Sequence, residues 1–179
     1  LVGFLGYESI IWVEDIPIYE KDTLQCPDAV FMLFHEMIAF DHLQNQVILF
    51  SNVQIAEGMD LEKAYREAHL RIDQMGEDLH TDIDYQTPSR QEKSNLDSNL
   101  TQGEFEDAVG KTKEHIKAGD VFQLVLSQRF NRQTSTDPLT LYRALRSINP
   151  SPYMFHLKLN DFDIIGASPE LLVKVEDSE

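Results

Sequence analysis

Apolar positions along this chain follow two periods. Residues 121–130 (VFQLVLSQRF) alternate, with Phe122, Leu124, Leu126 and Phe130 on one side and Val121, Gln123, Val125, Ser127 and Arg129 on the other. That is the two-residue period of a β-strand. Residues 29–34 (AVFMLF) are continuously apolar, as a buried strand would be. Residues 36–41 and 46–53 flank a polar HLQN stretch and read as a hairpin. Further strands are predicted at 153–159, 162–167 and 170–176, the first two joined through Asn160-Asp161.

The helical period appears three times. Leu61, Ala64, Tyr65, Ala68, Ile72 and Met75 share one helical face behind Asp60, a ready N-cap. Thr101 and Glu104 have the spacing of a capping box, followed by Phe105, Ala108, Val109, Thr112 and Ile116, with Gly119 placed to end the helix. Asp137-Pro138 suits the start of a third helix, with Leu139, Tyr142, Leu145 and Ile148 as its inner stripe and Asn149-Pro150 as its stop. Residues 76–100 are polar and follow neither period, so they read as a flexible linker between 1–75 and 101–179. Sequential hairpins beside long helices predict an α+β fold with antiparallel sheets and packed helices.

Three stretches carry candidate chemistry. The face of 121–130 that bears Gln123 mixes an amide, a hydroxyl and a guanidinium with valines, which fits either a ligand cavity or a half-solvated sheet face. In NPSPYMF (149–155) two prolines remove two backbone donors and leave carbonyls free, beside an aromatic ring and a thioether. The segment fits a flat apolar ligand, or simply a rigid helix-to-strand connection. In GASPE (166–170), Gly166 marks close approach of backbone or a bulge. Glu170 is there either a general acid pressed against apolar neighbours or an exposed glutamate at a sheet edge. The six histidines show no metal-ligand spacing, and neither a P-loop nor G-x-G-x-x-G is present.

Charge narrows the partners. Fifteen Lys+Arg stand against 31 Asp+Glu over 179 residues, a net charge of −16. Such a surface repels nucleic acid and anionic lipid. No apolar run approaches the ~20 residues of a membrane span. With one cysteine, Cys26, no disulfide can form within the chain, which fits a reducing, cytoplasmic setting. The chain opens inside the apolar run LVGFLGYESII and closes at VKVEDSE after a predicted strand, so both ends read as cuts through a longer protein.

GDVFQLVLSQRF (119–130), NPSPYMF and GASPE, in this order and spacing, resemble the large (component I) subunit of anthranilate synthase, a chorismate-utilising enzyme of tryptophan biosynthesis. GFLGYESI (3–10), PDAVFMLFHEMIAFDH (27–42) and EFEDAVGKTKEHIKAGD (104–120) extend the resemblance over nearly the whole chain. It implies that 1–75 is the end of the family's N-terminal region, and that 101–179 is the first part of the chorismate-binding domain, an α/β sandwich left incomplete. It implies conversion of chorismate and ammonia to anthranilate and pyruvate, with ammonia delivered by a glutamine amidotransferase subunit (component II).

The resemblance also assigns roles. Relatives that add water carry a lysine at the position of Gln123. An amide can orient ammonia without removing a proton, so Gln123 is expected on the nucleophile side. Glu170 matches the family's general acid for the departing hydroxyl. Asn149, Pro150, Pro152, Tyr153, Met154, Phe155 and Gly166 match the feedback site for tryptophan. The upstream L-L-E-S segment and the downstream part with the Mg²⁺ ligands and a catalytic histidine are absent, so no metal ligand is expected in this chain. Alone it should be inactive, bind Mg²⁺ and chorismate poorly, and self-associate through open sheet edges. An aminodeoxychorismate synthase subunit or a non-catalytic amino-acid-binding module would share part of the pattern.

Overall fold

The computed structural model describes residues 1–17, 23–83 and 94–176. The chain divides into two compact units, Leu1–Tyr85 and Gln86–Glu179. Among the described residues every sheet is a two-stranded antiparallel pair, and three helices accompany them. This is the expected α+β architecture.

In the first unit, β1 (Val2–Leu5) pairs with β2 (Ala29–Met32). A Cβ on Gly3 would run into the Val30 carbonyl oxygen and lie 2.8 Å from Phe31 Cα, so only glycine lets these strands close here. A 3-10 turn at Tyr7–Trp12 follows β1, and Ser9 Oγ donates to the Gly6 carbonyl at 2.7 Å. The predicted hairpin is present as β3 (Glu36–Asp41) and β4 (Gln46–Ser51). Asp41 Oδ1 accepts the Leu43 and Gln44 amides, both at 2.9 Å, and Asn45 takes φ 54°, a left-handed conformation that asparagine tolerates.

Helix α1 (Leu61–Asp78) begins at Asp60, whose carboxylate accepts the Lys63 amide at 3.0 Å. It packs against β4 and β3. Its apolar stripe is narrower than the sequence predicts. Ala64, Ala68 and Met75 are buried, whereas Tyr65 is 73% exposed and stacks on His69 with ring centroids 6.3 Å apart. Small residues bring the helix close to the sheet and leave a ring at position 65 no place inside. Arg71 ties helix to hairpin: its Nε donates to Ser51 Oγ at 3.0 Å and lies 3.4 Å from Glu36 Oε1. Glu36 and Ser51 are cross-strand partners, so one guanidinium holds both strand ends.

In the second unit, β5 (Leu96–Ser98) pairs with β6 (Phe130–Arg132). Helix α2 (Gln102–Ala118) starts with the predicted capping box: Glu104 Oε2 accepts the Thr101 amide at 2.8 Å, and Thr101 Oγ1 accepts the Glu104 amide at 3.3 Å. The Thr101 amide and hydroxyl together hold the Glu104 carboxyl below its ordinary value. Gly119 ends the helix at φ 85°, the left-handed closure expected of it. Helix α3 (Pro138–Ile148) is capped by Asp137, which accepts the Thr140 amide at 2.9 Å, and it ends at Asn149. It packs on the hairpin of β7 (Tyr153–Lys158) and β8 (Asp163–Ser168), which is closed by the Leu159 amide on the Phe162 carbonyl at 3.0 Å.

Two expected strands are not formed. Of residues 121–130 only Phe130 joins a strand, and 170–176 carry no ladder at all. Alternation reports two faces, but a strand also needs a neighbouring backbone to take its N–H and C=O groups. Among the described residues no backbone hydrogen bond joins 121–127 to a neighbouring segment. The stretch read as linker, 76–100, contains the last turn of α1 up to Asp78 and all of β5. Residues 84–93 within it lie outside the described residues.

Candidate functional site

The β7–β8 hairpin gathers most of the residues singled out in the sequence. Its register pairs Tyr153 with Ser168, Met154 with Ala167, Phe155 with Gly166 and His156 with Ile165. Directly paired residues share a face. One face therefore holds Tyr153, Phe155, Leu157, Ile164, Gly166 and Ser168. The other holds Met154, His156, Lys158, Asp163, Ile165 and Ala167.

The second face receives α3. The Tyr142 ring stacks near His156 with centroids 6.1 Å apart, and His156 Nε2 is hydrogen-bonded to Asp163 Oδ1 at 2.7 Å. These two side chains are only 17% and 23% exposed. On the first face, Phe155 lies flat across Gly166. A Cβ at 166 would overlap the ring, with Cε1 at 2.6 Å and Cε2 at 2.7 Å. The glycine is where close approach was expected, and the approaching group is an aromatic ring.

At the hairpin mouth the ladder stops at Tyr153 and Ser168. One step further the register would set Pro152 opposite Pro169, and neither has an N–H. Hydroxyls take over. Ser151 Oγ donates to the Ser168 carbonyl, and Ser168 Oγ donates to the Glu170 carbonyl at 3.0 Å. NPSPYMF and GASPE, separated in sequence, thus meet at one end of one hairpin.

Among the predicted residues, Tyr153, Phe155 and Gly166 come together on one face. Asn149 caps α3, its amide on the Leu145 carbonyl at 2.8 Å, and Asn149, Pro150 and Pro152 are exposed before β7. Met154 lies on the opposite face, opposite Ala167. Glu170 is exposed, as in the second of its two sequence readings and not against apolar neighbours, and Gln123 is exposed on the unpaired 121–127 stretch. Sequence reading missed Ser151, Ser168, His156 and Asp163. The serines carried a signal: Ser-Pro occurs at both 151–152 and 168–169. Among the described residues no three His, Cys, Asp or Glu side chains converge to hold a metal ion, so these residues do not fit magnesium. An open cavity of about 440 Å³ lies in the first unit between α1 and the residues after β4, lined by Asn52, Val53, Ile55, Leu61 and Ile72 among others. It contains none of the predicted site residues.

The family model described as chorismate binding enzyme matches residues 1–179. The chain belongs to the chorismate binding enzyme family. It is similar to probable anthranilate synthase component 1 of Schizosaccharomyces pombe, at 40% identity over 183 residues, covering 98% of this chain and 36% of that protein. It is also similar to the chloroplastic anthranilate synthase alpha subunit 1 of Arabidopsis thaliana, at 36% identity over 99% of this chain and 32% of that one. The crystal structure of anthranilate synthase component I from Streptococcus pneumoniae TIGR4 superposes with a TM-score of 0.77 at 30% identity, over 98% of this chain and 40% of that one. This chorismate binding enzyme chain therefore spans between about a third and two-fifths of the length of the relatives it matches. No helix of its described residues is long and apolar enough to cross a membrane.

Proposed function

We propose that this chain is a segment of the large subunit of an anthranilate synthase, which makes anthranilate and pyruvate from chorismate and ammonia. The match to the chorismate binding enzyme family over residues 1–179, with relatives named anthranilate synthase component 1, carries the reading. Those names favour it over an aminodeoxychorismate synthase subunit. Ammonia attacks the chorismate ring, the ring hydroxyl leaves with a proton as water, and elimination of pyruvate leaves the aromatic amine. Glu170 supplies the proton to the departing hydroxyl, because hydroxide is a poor leaving group. Gln123 orients ammonia by hydrogen bonding, a task that needs no proton removed.

In the same reading a glutaminase subunit supplies the ammonia, and Mg²⁺ is held by residues outside this chain. The setting is the cytoplasm. Tryptophan inhibits from the NPSPYMF segment. Supporting that last point, Tyr153, Phe155 and Gly166 share one face of the hairpin, and Pro150 and Pro152 are exposed just before it. Met154, on the other face, would act through the hairpin.

The test uses the intact protein that carries these residues, with anthranilate fluorescence as readout. Chorismate and ammonium should yield anthranilate, and Glu170→Gln should lower kcat by about 10²–10⁴-fold, the usual worth of general acid help. Full activity in that variant would remove Glu170 from the mechanism, and no anthranilate from the parent would remove the function.

A further inference from the structure

The hairpin mouth joins NPSPYMF and GASPE through the side chains of Ser151 and Ser168. We infer that Ser151 and Ser168 form a hydroxyl relay that positions the Glu170 segment and couples it to the NPSPYMF segment. The inference rests on the proposed role of Glu170 and adds two positioning residues to it.

One step beyond the last ladder pair the register would set Pro152 opposite Pro169, and neither offers a backbone N–H to fix the spacing of the strands. Without another link, residue 170 would be set only by the rigidity of Pro169. Ser151 Oγ replaces the missing donor by bonding the Ser168 carbonyl across the gap. Ser168 Oγ then turns along its own chain to the Glu170 carbonyl at 3.0 Å. That contact spans the proline and fixes the peptide that carries the carboxylate. Both serines are half-buried, and the bond from Ser151 is sheltered, so it competes less with water than one on an open surface, while the bond from Ser168 reaches the exposed Glu170.

The geometry has a direction. Ser151 sits between Pro150 and Pro152, inside the segment proposed to receive tryptophan. A ligand that moves this segment moves Ser151, then the Ser168 carbonyl, then the Glu170 peptide. Coupling requires an element that both sites bias, and the relay is a chain of two hydrogen bonds able to be made or broken. A plain ladder cap would also use Ser151, but it has no need of the second bond, from Ser168 to Glu170.

The experiment compares Ser151→Ala, Ser151→Thr and Ser168→Ala in the intact protein, by amide hydrogen exchange over 165–175 and by steady-state kinetics. Exchange at the mouth end of β8, over 166–168, should rise about three- to tenfold in both alanine variants, the range for loss of one hydrogen bond. Ser151→Thr, which keeps the hydroxyl, should restore it. Turnover should fall by about tenfold with KM for chorismate within about twofold, because substrate contacts are untouched while the proton donor is displaced. The tryptophan concentration for half-inhibition should rise in Ser151→Ala. Unchanged exchange in both alanine variants overturns the relay, and raised exchange with unchanged turnover overturns its positioning role. Should the parent make no anthranilate while exchange still responds, the relay stands and the proposed function fails.

Discussion

Replacing Gly166 with alanine probes the contact that sets the first face of the β7–β8 hairpin. The added methyl would come within 2.6–2.7 Å of Phe155 Cε1 and Cε2, and closer still to the tip of the ring. Carbon atoms prefer separations of about 3.5–4.0 Å, so the ring has to move by about 1 Å or more. It has room to move, because Phe155 is 39% exposed. Overpacking of this kind costs about 1–3 kcal/mol, and replacing glycine within a strand returns about 0.5–1 kcal/mol of backbone entropy. The net destabilisation should be about 1 kcal/mol, read as a lower urea midpoint at unchanged slope.

The attribution is checked by a double-mutant cycle. In a Phe155→Leu background the same change should be close to neutral, giving a coupling of about 1 kcal/mol. Additive effects in the cycle would show that the ring does not rest on the glycine, and the account of this face would be wrong. Tryptophan inhibition offers an independent readout. A displaced ring alters the proposed indole surface, so half-inhibition should need more tryptophan in Gly166→Ala, and in Phe155→Leu as well.

Arg71→Met should cost about 1 kcal/mol or less, since Arg71 and Glu36 are 36% and 47% exposed and water screens the pair. Unfolding by urea at low and high salt checks this: part of the loss should vanish at high salt, and the remainder reports the bond to Ser51. Glu104 gives a pH signature. Its folded-state pKa is lowered from 4.5, so between that value and the folded one the unfolded chain binds more protons and stability rises with pH. The contribution is complete above the ordinary carboxylate value and is lost as pH falls through the folded one. The acid side of a stability titration should therefore be shallower in Glu104→Gln, and an unchanged curve would count against the capping box as its source.

Local chemistry was the most legible part of the fold. Asp60, Thr101 with Glu104, Gly119, and Asp137 with Pro138 each mark a helix end where the structure has one. Caps act within one turn, so four residues suffice to read them. Partnership was less legible. The run 121–130 has the alternation of a strand, yet what decides a strand is a second backbone, and alternation holds no information about that. Residues 170–176 failed for the same reason. At the candidate site, NPSPYMF and GASPE were visible as motifs, but their meeting depends on the register of β7 against β8. That register places Tyr153 and Met154 on opposite faces although they are adjacent in sequence, and it brings in Ser151 and Ser168 through a pair of prolines.

Ala64 and Ala68 define a thickness more than they fill a volume. The two smallest side chains of the inner stripe let α1 settle against β3 and β4, and that depth brings the Arg71 head within reach of both strand ends. A larger residue at either place would work like a shim under a beam: the helix would still form and still be amphipathic, but it would stand off from its support and its fastening would no longer reach.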